Sequence, residues 1–281
     1  MGLQENSYLL FGFASIPLNI WEGDTAMMRR HFLNACATVL CAGMAFTTTA
    51  CSASDDTPDY RYRLSVEVET PEGLRSGSSV LEVKQSMGRS AMDPAGMRIS
   101  RRLRGEAVSV DLGDGRMLFA LLRSETDTDW ALSVVQRLSP DTPGESWAEQ
   151  FDDMLQLEGE IPIPRMWPAT RRLPEISAYP MLVTFGDLDD PTSVERVDPD
   201  DLAATFGEGV SLSRITVEMT DDYVTTGIDE SLGWFRDQAA KGGNLIPMVS
   251  NARGRYEVAP GYDEALIQVG VSSFSTEAYE Q

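Results

Sequence analysis

The densest group of carboxylates in this sequence lies between residues 187 and 201. Calcium takes about six to eight oxygen ligands, and loops with alternating aspartates supply them. Asp187, Asp189 and Asp190 fit such a loop poorly, because Pro191 and Thr192 stand where a ligand and a glycine are needed. The acids that follow are typical of a helix N-terminus: Asp198, Asp200 and Asp201. We therefore predict turn and cap residues and no metal or other cofactor, with Asp187, Asp189 and Asp190 as the remaining metal candidates.

The residues from Arg29 to Cys51 indicate a second chemistry, the attachment of lipid to a thiol. The pair Arg29-Arg30 precedes an apolar run over 33–46, which small residues and then Cys51 follow. This is the order of a bacterial secretory signal. Its end resembles a lipobox, where cleavage leaves an N-terminal cysteine that carries diacylglycerol. We predict export through Arg29 and Arg30 and lipidation of Cys51.

Several features of this segment leave alternatives open. One is an uncleaved transmembrane anchor, although Asn34 and four threonines make 32–50 a poor membrane helix. Another is the export route, because residues 29–33 resemble a twin-arginine motif as well as an ordinary charged region. Ala50 fits the position before the cut, whereas Thr48 replaces the usual Leu or Val of a lipobox.

These patterns predict an organisation for the whole chain. Residues 1–26 carry no positive charge and precede Met27-Met28, so we interpret them as an upstream artefact of start assignment. The remaining parts are a signal peptide over 27–50, a lipidated tether over 51–58 and a globular domain over 59–281, with a candidate boundary near 139–178. Ser52 is typical of sorting to the outer membrane. The predicted location is the cell envelope, as an outer-membrane lipoprotein that faces the periplasm.

Composition excludes most other catalytic chemistry after residue 50. His31, Cys36 and Cys41 lie in the predicted signal, and lipid would block Cys51. The exported part therefore has no disulfide, thiol nucleophile, catalytic imidazole or Cys/His zinc site. The first 50 residues hold two of the 23 bases and three of the 44 acids, so the exported part has a net charge of −20. This charge argues against nucleic acid or an anionic membrane surface as the main partner and favours a basic envelope protein.

Paired carboxylates could still hydrolyse glycosidic bonds without histidine. Tryptophans that could line a sugar groove are Trp130, Trp147, Trp167 and Trp234. Three of the four fall in predicted helices, which favours packing in a core. The exported part holds 41 acids, so the sequence does not single out a catalytic pair.

Residues 97–104 form the one basic cluster of the sequence. On a strand, one face of this segment would carry three arginines: Arg98, Arg102 and Arg104. Ile99 and Leu103 would then face inward. The arginines could bind a phosphate or carboxylate group of a partner. The alternative is that they pair with acids of neighbouring strands, such as Glu67 and Glu69.

Local patterns predict a domain of the α+β class with mainly antiparallel sheet and a few amphipathic helices. Alternating apolar residues or turn signals predict strands over 62–68, 78–83, 106–112, 117–122, 179–185, 210–219 and 266–274. Asp114-Gly115 between two such runs indicates a hairpin, and the first half should form a meander of about five strands. Helices are predicted over 130–138, after a capping box at 142–145, up to Phe206, and over 229–240.

Two segments resemble a family of uncharacterised bacterial lipoproteins. They are RYRLSVEVETPEGLRSGSSVLEV at 61–83 and the stretch from 179 to 228 that begins YPMLVTFGDLDDPTSVERVDPDDLAATFGEGV. The resemblance covers about a third of the chain. It implies a bacterial origin and a shared architecture, and it implies nothing about chemistry.

The sequence therefore favours a non-enzymatic, lipid-anchored binding protein of the envelope, held to its membrane by the lipid and bound to a basic protein partner. The alternative is a histidine-free hydrolase that cleaves envelope glycans with two carboxylates.

Overall fold

The structure is a computed structural model, and it describes residues 57–90, 93–140, 142, 144–169 and 174–277. In it, the chain folds around two main antiparallel sheets. The predicted export residues Arg29 and Arg30 and the predicted lipidation site Cys51 lie outside the described residues. The α+β fold class with mainly antiparallel sheet is confirmed.

The first sheet has five strands in the order β3-β2-β1-β11-β6. Their bounds are β1 (Tyr60–Thr70), β2 (Gly73–Ser90), β3 (Asp93–Arg104), β6 (Ile161–Pro162) and β11 (Ser211–Met219). The predicted alternation holds along β1, where Tyr62, Leu64 and Val66 are fully buried and the residues between them are half-buried. β3 and β6 form the two outer strands of this sheet.

The second sheet has four strands in the order β10-β9-β5-β4. Their bounds are β4 (Val108–Gly113), β5 (Arg116–Ala120), β9 (Leu182–Phe185) and β10 (Val194–Val197). The predicted Asp-Gly hairpin joins β4 to β5, with positive φ angles of 54° at Asp114 and 75° at Gly115, as a tight hairpin turn requires. The predicted meander is thus divided, because its first three strands lie in one sheet and the next two in the other.

Short strand pairs complete the described sheets: β7 (Met166–Trp167) with β8 (Ile176–Ser177), and β12 (Met248–Ser250) with β13 (Tyr256–Val258). The two main sheets approach closely where β2 crosses β4. A Cβ atom at Gly77 would lie 2.0 Å from the carbonyl oxygen of Ser109. A side chain at position 77 would therefore force the two backbones apart.

Two clusters of buried side chains form the core. The first joins one face of the five-stranded sheet to one face of β4 and β5, and it includes Trp130 and Met154 from helices. The second covers the other face of the four-stranded sheet, where Phe119 and Phe274 pack edge to face with ring centroids 5.9 Å apart. Phe151 and Ala178, from the proline-rich stretch proposed as a boundary, contribute to the first cluster.

Five α-helices lie in the described residues: α1 (Trp130–Leu138), α2 (Trp147–Leu155), α3 (Ala203–Phe206), α4 (Ile228–Ser231) and α5 (Phe235–Lys241). None of the described helices is long and apolar enough to cross a membrane. The predicted capping box at 142–145 is wrong, because Ser146 and Glu149 make the box that starts α2. Gly144 has a φ of 97°, which the first turn of a helix cannot accommodate.

Two further element predictions differ from the structure. The helix predicted over 229–240 is interrupted between α4 and α5, where Gly233, a residue of low helix propensity, lies. The strand predicted over 266–274 is wrong, since 3₁₀ turns occupy Glu264–Leu266 and Val271–Ser273. The buried side chains of that segment, Leu266, Val269, Val271 and Phe274, do not alternate with period two.

Candidate functional site

A cavity of about 540 Å³ lies beside α4, α5 and residues 275–277. Four acidic residues and one arginine line it: Glu106, Asp229, Glu230, Glu277 and Arg236. The remaining lining residues are small, hydroxylated or apolar, among them Ser275 and Phe235. A concave site with a few converging polar groups is the usual form of a binding or active site.

Glu106 is the buried acid of this cavity, with 6% of its surface exposed. Its Oε2 accepts a hydrogen bond of 2.8 Å from the backbone N–H of Ile228, and its Oε1 accepts one of 3.0 Å from Ser275 Oγ. Burial raises the pKa of the Glu106 carboxyl above its ordinary value of 4.5, and these hydrogen bonds offset only part of that rise. The negative charge of Asp229 raises the pKa further.

Local pairing explains how the sequence brings Glu106 and Ser275 together. Residues 105–107 run antiparallel to the C-terminal segment, with hydrogen bonds from Ala107 N to Phe274 O of 2.7 Å and from Thr276 N to Gly105 O of 3.1 Å. The start of α4 then supplies the N–H of Ile228. The carboxyl of Glu106 therefore joins three segments that are distant in sequence.

The other acids of the cavity differ in their partners. Asp229 Oδ2 accepts a hydrogen bond of 2.6 Å from Arg236 Nε. The Glu277 carboxylate accepts two bonds of 3.2 Å from the guanidinium of Arg104. Glu230 is exposed. The cavity thus presents more negative than positive charge, and two of its acids are fixed in position by arginines.

The three arginines predicted as a partner-binding face have different surroundings. The side chain of Arg98 lies outside the described residues, and Arg102 is exposed. Arg104 contacts Glu277 and, at 3.4 Å, Glu82. Ile99 and Leu103 pack against the first core cluster, so their predicted inward orientation is confirmed.

The acids that pair with this strand are not those expected from the sequence. Glu67 binds Arg214 instead, at 2.7 Å and 2.8 Å, because β11 and not β3 lies on that side of β1. Glu82 on β2 takes the expected role, since it stands opposite Arg104 in the register. Arg61 donates two hydrogen bonds to its Oε1, and Lys84 lies 3.7 Å from its Oε2.

Glu82 and Glu106 are therefore two buried glutamates in opposite environments. Burial raises the pKa of Glu82 as well, but the hydrogen bond from Arg61 and the charges of Arg61, Lys84 and Arg104 outweigh it and hold that pKa below 4.5. Within the described residues, Glu106 accepts hydrogen bonds from the N–H of Ile228 and the hydroxyl of Ser275, and neither group is a cation. A buried carboxyl with a raised pKa inside a cavity is typical of a functional site.

Most of the predicted turn and cap aspartates accept hydrogen bonds from nearby backbone N–H groups, whereas Asp200 accepts two from the guanidinium of Arg165, at 2.8 Å and 2.7 Å. Asp187 accepts a hydrogen bond from the N–H of Asp189 at 3.0 Å, and Asp190 accepts bonds from the N–H and hydroxyl of Thr192. Asp201 accepts from the N–H of Ala204 at the start of α3. Among the described residues, no group of three or more His, Cys, Asp or Glu side chains is placed to hold a metal ion.

The described tryptophans do not line the cavity. Trp130 is buried and donates from Nε1 to the carbonyl of Ala178 at 2.9 Å, and half-buried Trp234 donates to Leu188 O at the same distance. Trp167 packs against the first core cluster. The side chain of Trp147 lies outside the described residues.

Replacing each buried glutamate by glutamine should change stability in opposite directions. A raised folded pKa contributes stability that is complete below about 4.5 and is lost as pH rises through the folded pKa. The glutamine of Glu106→Gln stays neutral at every pH. At neutral pH this variant is therefore expected to unfold at a higher urea concentration than the wild type, and in acid the two proteins should unfold at the same urea concentration. For Glu82 the lowered pKa contributes stability above 4.5, so Glu82→Gln is expected to be less stable at neutral pH. Urea unfolding over a pH series measures the stability of both variants. If both substitutions change the free energy of unfolding in the same direction at neutral pH, the opposite pKa shifts of Glu82 and Glu106 are contradicted.

Sequence reasoning did not identify Glu106, because its partners Ser275 and Ile228 are 169 and 122 residues away. The one local signal is an acid placed between Gly105 and the buried residues Ala107 and Val108.

Comparison with models of known protein families, with curated proteins and with solved structures finds no match to this chain.

Proposed function

We propose that the protein is a lipid-anchored envelope protein that binds a cationic segment of a partner in the cavity beside Glu106. The observation that carries the proposal is the lining of this cavity, where four carboxylates face one arginine. Carboxylates hydrogen-bond strongly to lysine and arginine side chains. The lipid anchor rests on the sequence pattern that ends at Cys51.

The arrangement suits binding because two of the carboxylates are positioned in advance. Arg236 holds Asp229 and Arg104 holds Glu277, so a ligand need not immobilise these side chains. Glu230 lines the same cavity and is exposed, so an incoming cation can reach it. The net charge of −20 would also steer a basic partner toward the domain.

A glycan hydrolase is the second candidate, and one observation favours it. General acid catalysis needs a carboxyl that stays protonated near neutral pH, and burial raises the pKa of Glu106 in that direction. Against it, both oxygens of Glu106 already accept hydrogen bonds from the protein. We therefore place binding first.

A binding titration with a short lysine-glycine peptide tests the proposal. The double variant Asp229→Asn/Glu230→Gln should weaken binding at least about tenfold, because charged hydrogen bonds are lost. Asp152→Asn/Glu158→Gln is the matched control, since both acids are exposed, lie outside the cavity and give the same change in net charge.

Equal weakening in the two double variants would show that only net charge matters and would contradict a site at the cavity. Release of soluble glycan from purified cell-wall sacculi, lost in Glu106→Gln, would favour the hydrolase instead.

A further inference from the structure

The strands β2 and β3 form a hairpin whose outer face is basic in an otherwise acidic protein. Lys84 stands opposite Arg102 in the register, and Glu82 stands opposite Arg104. Val83 and Leu103, which alternate with these residues, point into the first core cluster. Lys84 and Arg102 are exposed, and Arg104 is half-buried. We call Lys84, Arg102 and Arg104 the basic face.

The charge of this hairpin departs sharply from that of the chain. Residues 84–104 contain six lysines and arginines and a single acid, Asp93, whereas the whole chain has a net charge of −21. Glu82 and Glu277 contact members of the basic face. An anionic surface would therefore attract this face and repel the remainder of the domain.

The start of the described chain lies against the same hairpin. Asp59 Oδ1 accepts a hydrogen bond of 2.8 Å from the backbone N–H of Gln85, and Pro58 O accepts one of 3.0 Å from Gln85 Nε2. Gln85 is the neighbour of Lys84 on β2. Residues 51–56 can span at most about 20 Å even when fully extended. A lipid on Cys51 would therefore hold the membrane surface within that distance of this end of the hairpin.

We propose that the basic face rests on anionic phospholipid headgroups of the membrane that holds the anchor, and so fixes the orientation of the domain. This inference rests on the proposed lipidation of Cys51. Two arguments select a lipid surface over an acidic protein: the short chain between Cys51 and Thr57, and the charge complementarity of a face that the anchor keeps beside the bilayer. Each lysine or arginine near an anionic surface raises the ratio of bound to unbound orientations about fivefold.

The experiment uses lipidated protein in vesicles of phosphatidylcholine, with or without phosphatidylglycerol, that carry a headgroup-attached fluorescence quencher. A fluorophore is placed through Ser100→Cys, at an exposed position beside the basic face, or through Glu72→Cys, at the turn between β1 and β2. Strand β2 separates the two positions by about 40 Å. Flotation of the vesicles reports anchoring, and quenching reports orientation.

We expect quenching at Ser100→Cys, but not at Glu72→Cys, in vesicles with phosphatidylglycerol, and its loss in about 1 M salt, where screening is strong. Lys84→Gln/Arg102→Gln should lower the ratio of bound to unbound orientations about 30-fold. Arg253→Gln/Arg255→Gln removes the same charge from exposed residues elsewhere and should leave the ratio unchanged.

Flotation without a difference between the two label positions would overturn the proposed orientation and leave the anchor intact. The same quenching in vesicles of phosphatidylcholine alone would overturn the role of charge. A change in the fluorescence of the Ser100→Cys label that needs an acidic protein, with no quenching by the anionic vesicles, would assign the face to a protein partner. Failure of the wild-type protein to float would overturn both the anchor and the orientation.

Discussion

Cys51→Ala is expected to abolish incorporation of labelled fatty acid and to release the domain from membranes, or to leave the precursor unprocessed. The expected effect is large because each buried CH₂ of an acyl chain contributes about 0.8 kcal/mol and stable anchoring needs two or more chains. Membrane fractionation and fatty acid labelling measure it. Ser52→Ala is the matched control, since it changes the neighbouring residue and should leave labelling intact. Incorporation that persists in Cys51→Ala would refute the lipobox interpretation.

Trp130→Ala is expected to lower the free energy of unfolding by about 3–5 kcal/mol. The indole is 1% exposed, and its Nε1 donates to Ala178 O at 2.9 Å, so the change leaves both a cavity and an unpaired carbonyl. Such a loss is a large part of the about 5–15 kcal/mol that stabilises a typical domain. Urea unfolding followed by circular dichroism measures it.

The matched control for Trp130 is Trp234→Ala. Trp234 also donates to a carbonyl, that of Leu188, but its ring is only half-buried, so a smaller loss is expected. Because Phe151 and Ala178 of the stretch 139–178 remain in the same core cluster as the sheets, the Trp130 variant should still unfold in one transition. An effect no larger than that of Trp234→Ala would contradict a central place for Trp130 in the core.

The sequence patterns predicted the fold best where the interactions are local. Alternation along β1 and the Asp114-Gly115 turn depend on neighbouring residues, and both predictions are confirmed. The strand prediction over 266–274 failed because the apolar residues of this segment are spaced for short turns. The packing of Phe274 against Phe119, a contact distant in sequence, holds the segment in place. The division of the first five strands into two sheets likewise depends on long-range contacts, such as the close approach of Gly77 to Ser109.

The candidate site was less accessible to sequence reasoning than the fold. Arg104 was selected from its strand neighbours, but its link to Glu277 depends on residues 173 positions apart. Glu106 resembles any other acid in the sequence until Ser275 and the start of α4 are placed beside it. Burial and long-range pairing, which distinguish this carboxyl from the others, are properties of the folded chain.

The outer strands of the five-stranded sheet determine what happens when two copies of the protein meet, as they would on a membrane if Cys51 carries the proposed lipid. Strand β6 is two residues long and one of them is Pro162, which has no N–H to offer to another strand. Strand β3, at the other side, carries Arg102 and Arg104, and like charges oppose the approach of a second β3. Molecules held by the proposed lipid anchor would meet often, because they would diffuse in two dimensions. Neither outer strand can readily pair with a strand of a second molecule. Two copies that meet should therefore separate again, and the five-stranded sheet should not extend from copy to copy into a fibre.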